Sequence, residues 1–168
     1  NLPAAVLAKL LYSIAQAERL SGKEIAEDEL YDHIVSLYMQ KLRFTDAESL
    51  GNVFLSLAIK QKFDSSIWTA LLAQIEKVKF EPEFTKVTNT NPHLFIYKET
   101  STSNIKGLSP IGTKCYLEGY RAIFLIYSAL RISAKSVQQS KEALNKLNTR
   151  FPELSEFIND LETRQLSI

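Results

Sequence analysis

Few residues in this chain have the type and spacing that catalysis or metal binding needs. Its two histidines, His33 and His93, have no neighbouring ligand except Glu29, and a protein zinc site takes at least three ligands. The single cysteine, Cys115, could act as a nucleophile, but it lacks a CxxC partner or a known nucleophile motif. The glycine-containing stretch 107–112 does not match a phosphate-binding loop. We therefore expect a protein that is not an enzyme and holds no metal and no cofactor.

Length and composition predict one helical domain spanning residues 1–168. Five Gly and five Pro are few for 168 residues, which favours helices over a loop-rich β architecture. The formal net charge of +1 lacks the basic surplus typical of nucleic-acid-binding proteins. The most apolar window, residues 122–130, is far shorter than the roughly 20 residues that a bilayer requires. We expect no membrane span, and the single cysteine suits a reducing compartment.

A nine-residue pattern occurs twice, at residues 7–15 and 50–58, with Leu, Ser and Ala at equivalent positions. A weaker third copy lies at residues 125–130. The first two copies are also followed by related segments, since residues 30–37 align with residues 67–74. Repetition at a period of about 20 to 50 residues is typical of stacked helical units that bury their apolar faces against one another. The sequence thus predicts an all-α fold of stacked antiparallel helical hairpins, similar to an α-solenoid.

Apolar spacing and capping residues give the expected limits of two such hairpins, which fill residues 3–80. Gly22 is expected to end the first helix, Thr45 and Glu48 match a capping box that opens the third, and Asp64 is expected to cap the fourth. The inward stripe of the first helix is predicted to contain Leu7, Leu10, Leu11, Ile14 and Ala17. The four helices are predicted at residues 3–20, 26–41, 45–62 and 67–79.

Aromatic residues recur at equivalent positions of the predicted hairpins. Trp68 occupies the position that Tyr31 has in the other hairpin, while Tyr12, Phe54 and Tyr127 lie at inward positions of the repeated pattern. We expect these rings to pack between helices rather than to bind a ligand.

A loop-rich segment, residues 81–114, separates the hairpins from three further helices. Proline and glycine residues interrupt helical patterns throughout it. Within it, residues 93–97 have a strand-like composition, and a run of large apolar side chains there is predicted to be buried on its own chain or on a partner. These partner-docking residues are Leu94, Phe95, Ile96 and Tyr97. The helices that follow are predicted at residues 115–133, at 134–148 and from 152 onward.

The chain is locally basic between residues 131 and 150, where the single acidic residue is Glu142. The basic side chains can be solvated helix positions, or they can form a face for RNA or an acidic partner. That face would contain Arg131, Lys135, Lys141, Lys146 and Arg150.

The repeated block, followed by Arg19-Leu20 or by Lys62-Phe63, resembles the first helix of organellar Leu-rich helical repeats. Such repeats occur in octotricopeptide, heptatricopeptide and FAST-kinase-like proteins, and the resemblance covers residues 3–80. It implies an RNA-associated role in mitochondria or plastids, including as a part of organellar ribosomes.

Together with the near-neutral charge, the repeats predict a non-catalytic scaffold or accessory subunit of a large organellar complex. A mitochondrial ribosome and a respiratory or ATP-synthase assembly both fit, and the partners would be protein subunits. The alternative is a repeat-type RNA-binding protein of organellar RNA metabolism. We expect a mitochondrial protein, or otherwise an intracellular soluble one.

Overall fold

A computed structural model describes residues 2–80 and 110–152, and for residues 110–120 the backbone only. Within these ranges the chain forms six α-helices, a short 3-10 helix at Leu42–Phe44, and no strand, which confirms the all-α prediction. The α-helices are α1 (Ala4–Ser21), α2 (Asp28–Met39), α3 (Ala47–Ile59), α4 (Ser65–Ile75), α5 (Pro110–Ser133) and α6 (Gln138–Arg150).

Two helix ends follow the expected capping residues. Gly22 closes α1 in the left-handed conformation, with φ of 71°, and its N–H donates to the carbonyl of Glu18. Asp64 opens α4, because its Oδ1 accepts hydrogen bonds from the backbone N–H groups of Ser66 and Ile67, each at 3.1 Å.

The capping box predicted at Thr45 is wrong. Asp46 caps α3 instead, and its Oδ1 accepts the N–H of Ser49 at 2.8 Å. The Thr45 hydroxyl is buried and lies 2.6 Å from the hydroxyl of Tyr38 on α2. Thr45 therefore forms a hydrogen bond with another helix and does not cap α3.

The core of the first four helices contains the repeated pattern in both copies. α1 packs more extensively against α3 than against α2. Leu11 and its equivalent Phe54 are fully buried, as are Ala15 and its equivalent Ala58. Leu10, predicted to point inward with its neighbours, is 39% exposed. The core residues that α1 and α3 contribute are Leu7, Ala8, Leu11, Ala15, Leu50, Val53, Phe54, Leu57 and Ala58.

The helix predicted from Cys115 begins five residues earlier, at Pro110. Residues 110–114, assigned to the loop-rich segment, are therefore helical. Proline is compatible with the first turn of a helix, where no intrahelical partner exists for a backbone N–H. The strand-like run 93–97 and the helix predicted from residue 152 onward lie outside the described residues.

The chain divides into two compact units. The first contains Asn1–Lys79 and Ala122–Leu144, and the second contains Phe80–Arg121 and Asn145–Ile168. In the second unit, the rings of Phe80 and Phe151 meet edge to face at 5.7 Å, and both are buried. The prediction of one domain over residues 1–168 stays a prediction.

Candidate functional site

A charged cluster joins the ends of α1 and α3 and shows how the ionisable groups of the first unit are used. Glu18 Oε1 pairs with Lys60 Nζ at 2.5 Å, and Oε2 accepts the N–H groups of Ile25 and Ala26 at 2.9 and 3.0 Å. The hydrogen bond from Lys60, with the two backbone N–H groups, lowers the pKa of Glu18 to about 2. Both side chains are nearly buried, at 13% and 11% exposed. A carboxylate that stays ionised, with both oxygens engaged, is suited to joining helices and unsuited to moving protons.

The effect of this carboxylate on stability can be tested with Glu18→Gln. We expect the free energy of unfolding at pH 7 to fall by about 1–2 kcal/mol, because Lys60 then lacks its counter-charge. Since the folded-state pKa of Glu18 lies below its ordinary value of 4.5, its contribution is complete above about pH 4.5 and is lost as the pH falls towards 2. Urea denaturation at pH 7, 4 and 2.5 should therefore show the difference between wild type and variant shrinking with acid.

Glu24→Gln is the matched control for this measurement, because Glu24 is an exposed carboxylate next to Ile25, whose N–H donates to Glu18. It should change the free energy of unfolding by less than about 0.5 kcal/mol. A Glu18→Gln deficit that stays constant down to pH 2.5 would contradict the ion-pair explanation.

Trp68 lies between helices, as predicted, among aromatic rings and two serine hydroxyls. Its ring, 1% exposed, meets Phe54 and Phe63 edge to face at 5.1 Å each. Its Nε1–H donates to Ser140 Oγ on α6 at 2.8 Å, and Ser133 Oγ lies 2.7 Å from the same oxygen. Trp68 is therefore a packing residue that joins α4 to α6, as its sequence position suggested.

The exposed surface of α1 is a better candidate for a functional site than the buried groups around Glu18 and Trp68. Val6 and Leu10 are 44% and 39% exposed, and their spacing of four residues places them along one side of the helix. Leu2, 48% exposed, precedes Pro3, the extended residue at which α1 begins. We call these three residues the α1 outer stripe. Val6 and Leu10 lie about 6 Å apart along the helix axis. Because Leu7 and Leu11 already fill the core, α1 is apolar on two faces, and an apolar helix face without cover is typical of an interaction site.

An open groove of about 370 Å³ lies at the N-terminal end of this helix. Phe44, on its rim, is 71% exposed, and the Arg43 guanidinium lies 4.6 Å from the centre of its ring. Lys41 Nζ donates to the carbonyl of Leu2 and so joins the groove to the outer stripe. The groove is lined by Pro3, Ala4, Ala5, Lys41, Phe44, Asp46 and Ser49. Apolar and cationic groups therefore meet at one end of α1.

None of the residues named for this surface belongs to the two site regions predicted from the sequence. The predicted docking residues Leu94, Phe95, Ile96 and Tyr97 lie outside the described residues. The five basic residues are exposed, with Arg131, Lys135 and Lys141 in the first unit and Lys146 and Arg150 in the second. The guanidinium groups of Arg131 and Arg150 lie against aromatic rings, those of Tyr127 at 5.8 Å and of Phe80 at 4.9 Å. Their role in binding RNA or an acidic partner stays a prediction.

Among the described residues, no group of three or more His, Cys, Asp or Glu side chains could hold a metal ion. None of the helices in the described ranges is long and apolar enough to cross a membrane.

Comparison with known proteins adds no relative. No protein-family model matches the chain, and no curated protein or solved structure shows significant similarity to it.

Proposed function

We propose that this protein is a non-catalytic helical scaffold that docks, as an accessory subunit, into a larger mitochondrial protein assembly. The observation that carries the proposal is the α1 outer stripe beside the groove at Phe44. A single exposed apolar residue is ordinary on a protein surface. Val6 and Leu10 together, on a helix that already buries Leu7 and Leu11 and with Leu2 exposed just before it, are typical of a contact surface.

The pattern of burial supports a stack of helical hairpins as the framework of that surface. Equivalent residues of the repeated pattern are buried alike in α1 and α3. The weaker third copy agrees, because Ile126 and Leu130 of α5 are fully buried and stand where Leu11 and Ala15 stand in α1 when Tyr127 is aligned with Tyr12. Such stacks offer long surfaces for partners and have no need of a catalytic pocket.

The use of charge in the first unit supports a scaffold rather than an enzyme. Lys62 pairs with Asp32 at 3.0 Å and Asp28 at 3.4 Å, close to the ion pair of Glu18 and Lys60. These groups link α1, α2 and the end of α3 through ion pairs. The mitochondrial part of the proposal rests on the resemblance of residues 3–80 to organellar helical repeats.

Sedimentation of the natural complex tests this function. An epitope-tagged copy of the full chain, expressed in the source cells, should co-purify with mitochondria and sediment far faster than its 19.1 kDa monomer. Val6→Ser with Leu10→Ser should shift most of the protein to the monomer fractions, because each loses apolar contact area at the docking surface. The control pair Leu20→Ser with Leu30→Ser, at residues 76% and 52% exposed elsewhere, should sediment like wild type.

Treatment with ribonuclease separates the two functional classes. A large species that survives the enzyme supports the protein scaffold. A large species that collapses to monomer, together with binding of purified protein to single-stranded RNA that weakens steeply with salt, would replace it with the RNA-binding alternative. Sedimentation as a monomer from gentle lysates would exclude both forms of assembly.

A further inference from the structure

The repeated pattern allows the α1 outer stripe to be compared with the equivalent residues of the second copy, 43 positions later. Under this shift Leu2, Val6 and Leu10 correspond to Thr45, Ser49 and Val53. The residues near and in α3 are 9%, 4% and 0% exposed, whereas their counterparts near and in α1 are 48%, 44% and 39% exposed. The same helix face is therefore covered in one copy and open in the other.

The first hairpin lies beside that face of α3 at Thr45 and Ser49. Gly51 lies on the opposite side of α3, since two residues turn a helix by about 200°, and it approaches Leu125 of α5. On the other side, Ser49 lines the groove together with Pro3 and Ala4, and Tyr38 of α2 contacts Thr45. An α-helix packed on α1 as α1 packs on α3 would bury the outer stripe in the same way.

The charged side chains near the stripe indicate which charge a partner helix would carry. Lys9 is exposed beside Val6 and Leu10, and Lys41 and Arg43 lie at the groove end. Asp46 also lines the groove, but its carboxylate caps α3. A second copy of α1 would bring a second set of these cations to the contact, whereas carboxylates on an incoming helix would pair with them.

We propose that the α1 outer stripe and its groove bind an acidic amphipathic α-helix of another protein. This inference rests on the proposed function, because it names the partner element at the same surface. Apolar side chains of that helix would cover Val6 and Leu10, and its carboxylates would lie near Lys9 and Arg43.

Site-specific photo-crosslinking in the source cells tests this inference. The probe is a benzoylphenylalanine side chain placed at position 6 or 10 of the tagged full chain, with position 20 as the control. Irradiation should join positions 6 and 10, but not 20, to one segment of another protein that is helical and net acidic. Lys9→Glu should lower the cross-link yield about fivefold, while the matched reversal Lys23→Glu, in the exposed connection between α1 and α2, should leave it unchanged.

The other outcomes overturn the inference and separate it from the proposed function. Cross-links to a second copy of this chain, to RNA, or to a segment that is not acidic would each overturn it. Absence of cross-links from positions 6 and 10, in protein that still sediments with the assembly, would overturn it and leave the scaffold proposal standing. Cross-links to an acidic helix, in protein that sediments without a large complex, would support the inference and overturn the scaffold proposal. Circular dichroism of each purified variant establishes that the helical fold is retained.

Discussion

Replacing Trp68 by Ala should lower the free energy of unfolding by about 3–5 kcal/mol, the range found for a large aromatic residue removed from a core. Trp68 is 1% exposed and packs edge to face on Phe54 and Phe63, so the substitution leaves a cavity between them. It also removes the indole N–H that donates to Ser140, a residue 72 positions later on α6. Because a domain is stable by only about 5–15 kcal/mol, we expect the variant to be marginally folded or unfolded at 37 °C.

Two further variants divide this loss between packing and hydrogen bonding. Trp68→Phe keeps an aromatic ring but removes the donor, and we expect a loss of about 1–3 kcal/mol. Ser140→Ala keeps the ring but leaves the indole N–H without its acceptor, and we expect about 1–3 kcal/mol. Chemical denaturation followed by far-ultraviolet circular dichroism measures all three, because the chain has one Trp and the variants at position 68 have no indole fluorescence. A Trp68→Ala variant within 1 kcal/mol of wild type would contradict the buried position.

The first four α-helices could be predicted because the signals that define them lie within their own residues. Apolar residues recur at helical spacing, and Asp64 and Gly22 mark ends through their own side chain or backbone. Thr45 shows where this reasoning fails. The capping box predicts that its hydroxyl accepts the N–H of Glu48, but the hydroxyl bonds to Tyr38 of α2. Nothing in the local pattern shows that the fold brings Tyr38 this close.

The candidate site could not be predicted from spacing for a related reason. Leu7, Leu10 and Leu11 all fit one broad apolar stripe, and which of them is buried depends on which helix lies on α1 and at what angle. The sequence signal that could have found the site is the second row, Leu2, Val6 and Leu10, which makes α1 more apolar than one buried face requires. The long-range pair Glu18 and Lys60 is likewise invisible to local patterns, since 42 residues separate its members.

The small residue in the repeated pattern has a structural reason that differs between the copies. At this position α1 has Ala8, which is fully buried, and α3 has Gly51. A Cβ atom on Gly51 would lie 2.9 Å from Leu125 Cβ and 3.1 Å from the carbonyl oxygen of Ala122. Glycine at this position therefore sets the distance between α3 and α5, the first described helix after the loop-rich segment.

Gly51→Ala should consequently destabilise the protein, although Ala is the better helix former by about 1 kcal/mol. The two obstructing atoms are fixed to the backbone of α5, so no change of rotamer relieves the contact and the helix itself must shift. Overpacking of this kind costs about 1–3 kcal/mol, which outweighs the gain in helix propensity. We expect a net loss of about 1 kcal/mol for Gly51→Ala and of about 3 kcal/mol for Gly51→Val, measured by urea denaturation.

A comparison of Ser13→Gly with Ser13→Ala measures the opposing term alone, because Ser13 is exposed in the interior of α1. Ser13→Gly should be about 1 kcal/mol less stable than Ser13→Ala through helix propensity. The sign of the Gly51→Ala effect then decides between two arrangements of the helices. A gain of about 1 kcal/mol, equal and opposite to the control, would mean that α5 does not approach α3 at Gly51. A loss that grows from Ala to Val would establish this contact, and with it the packing of the third helix of the repeated pattern on the second.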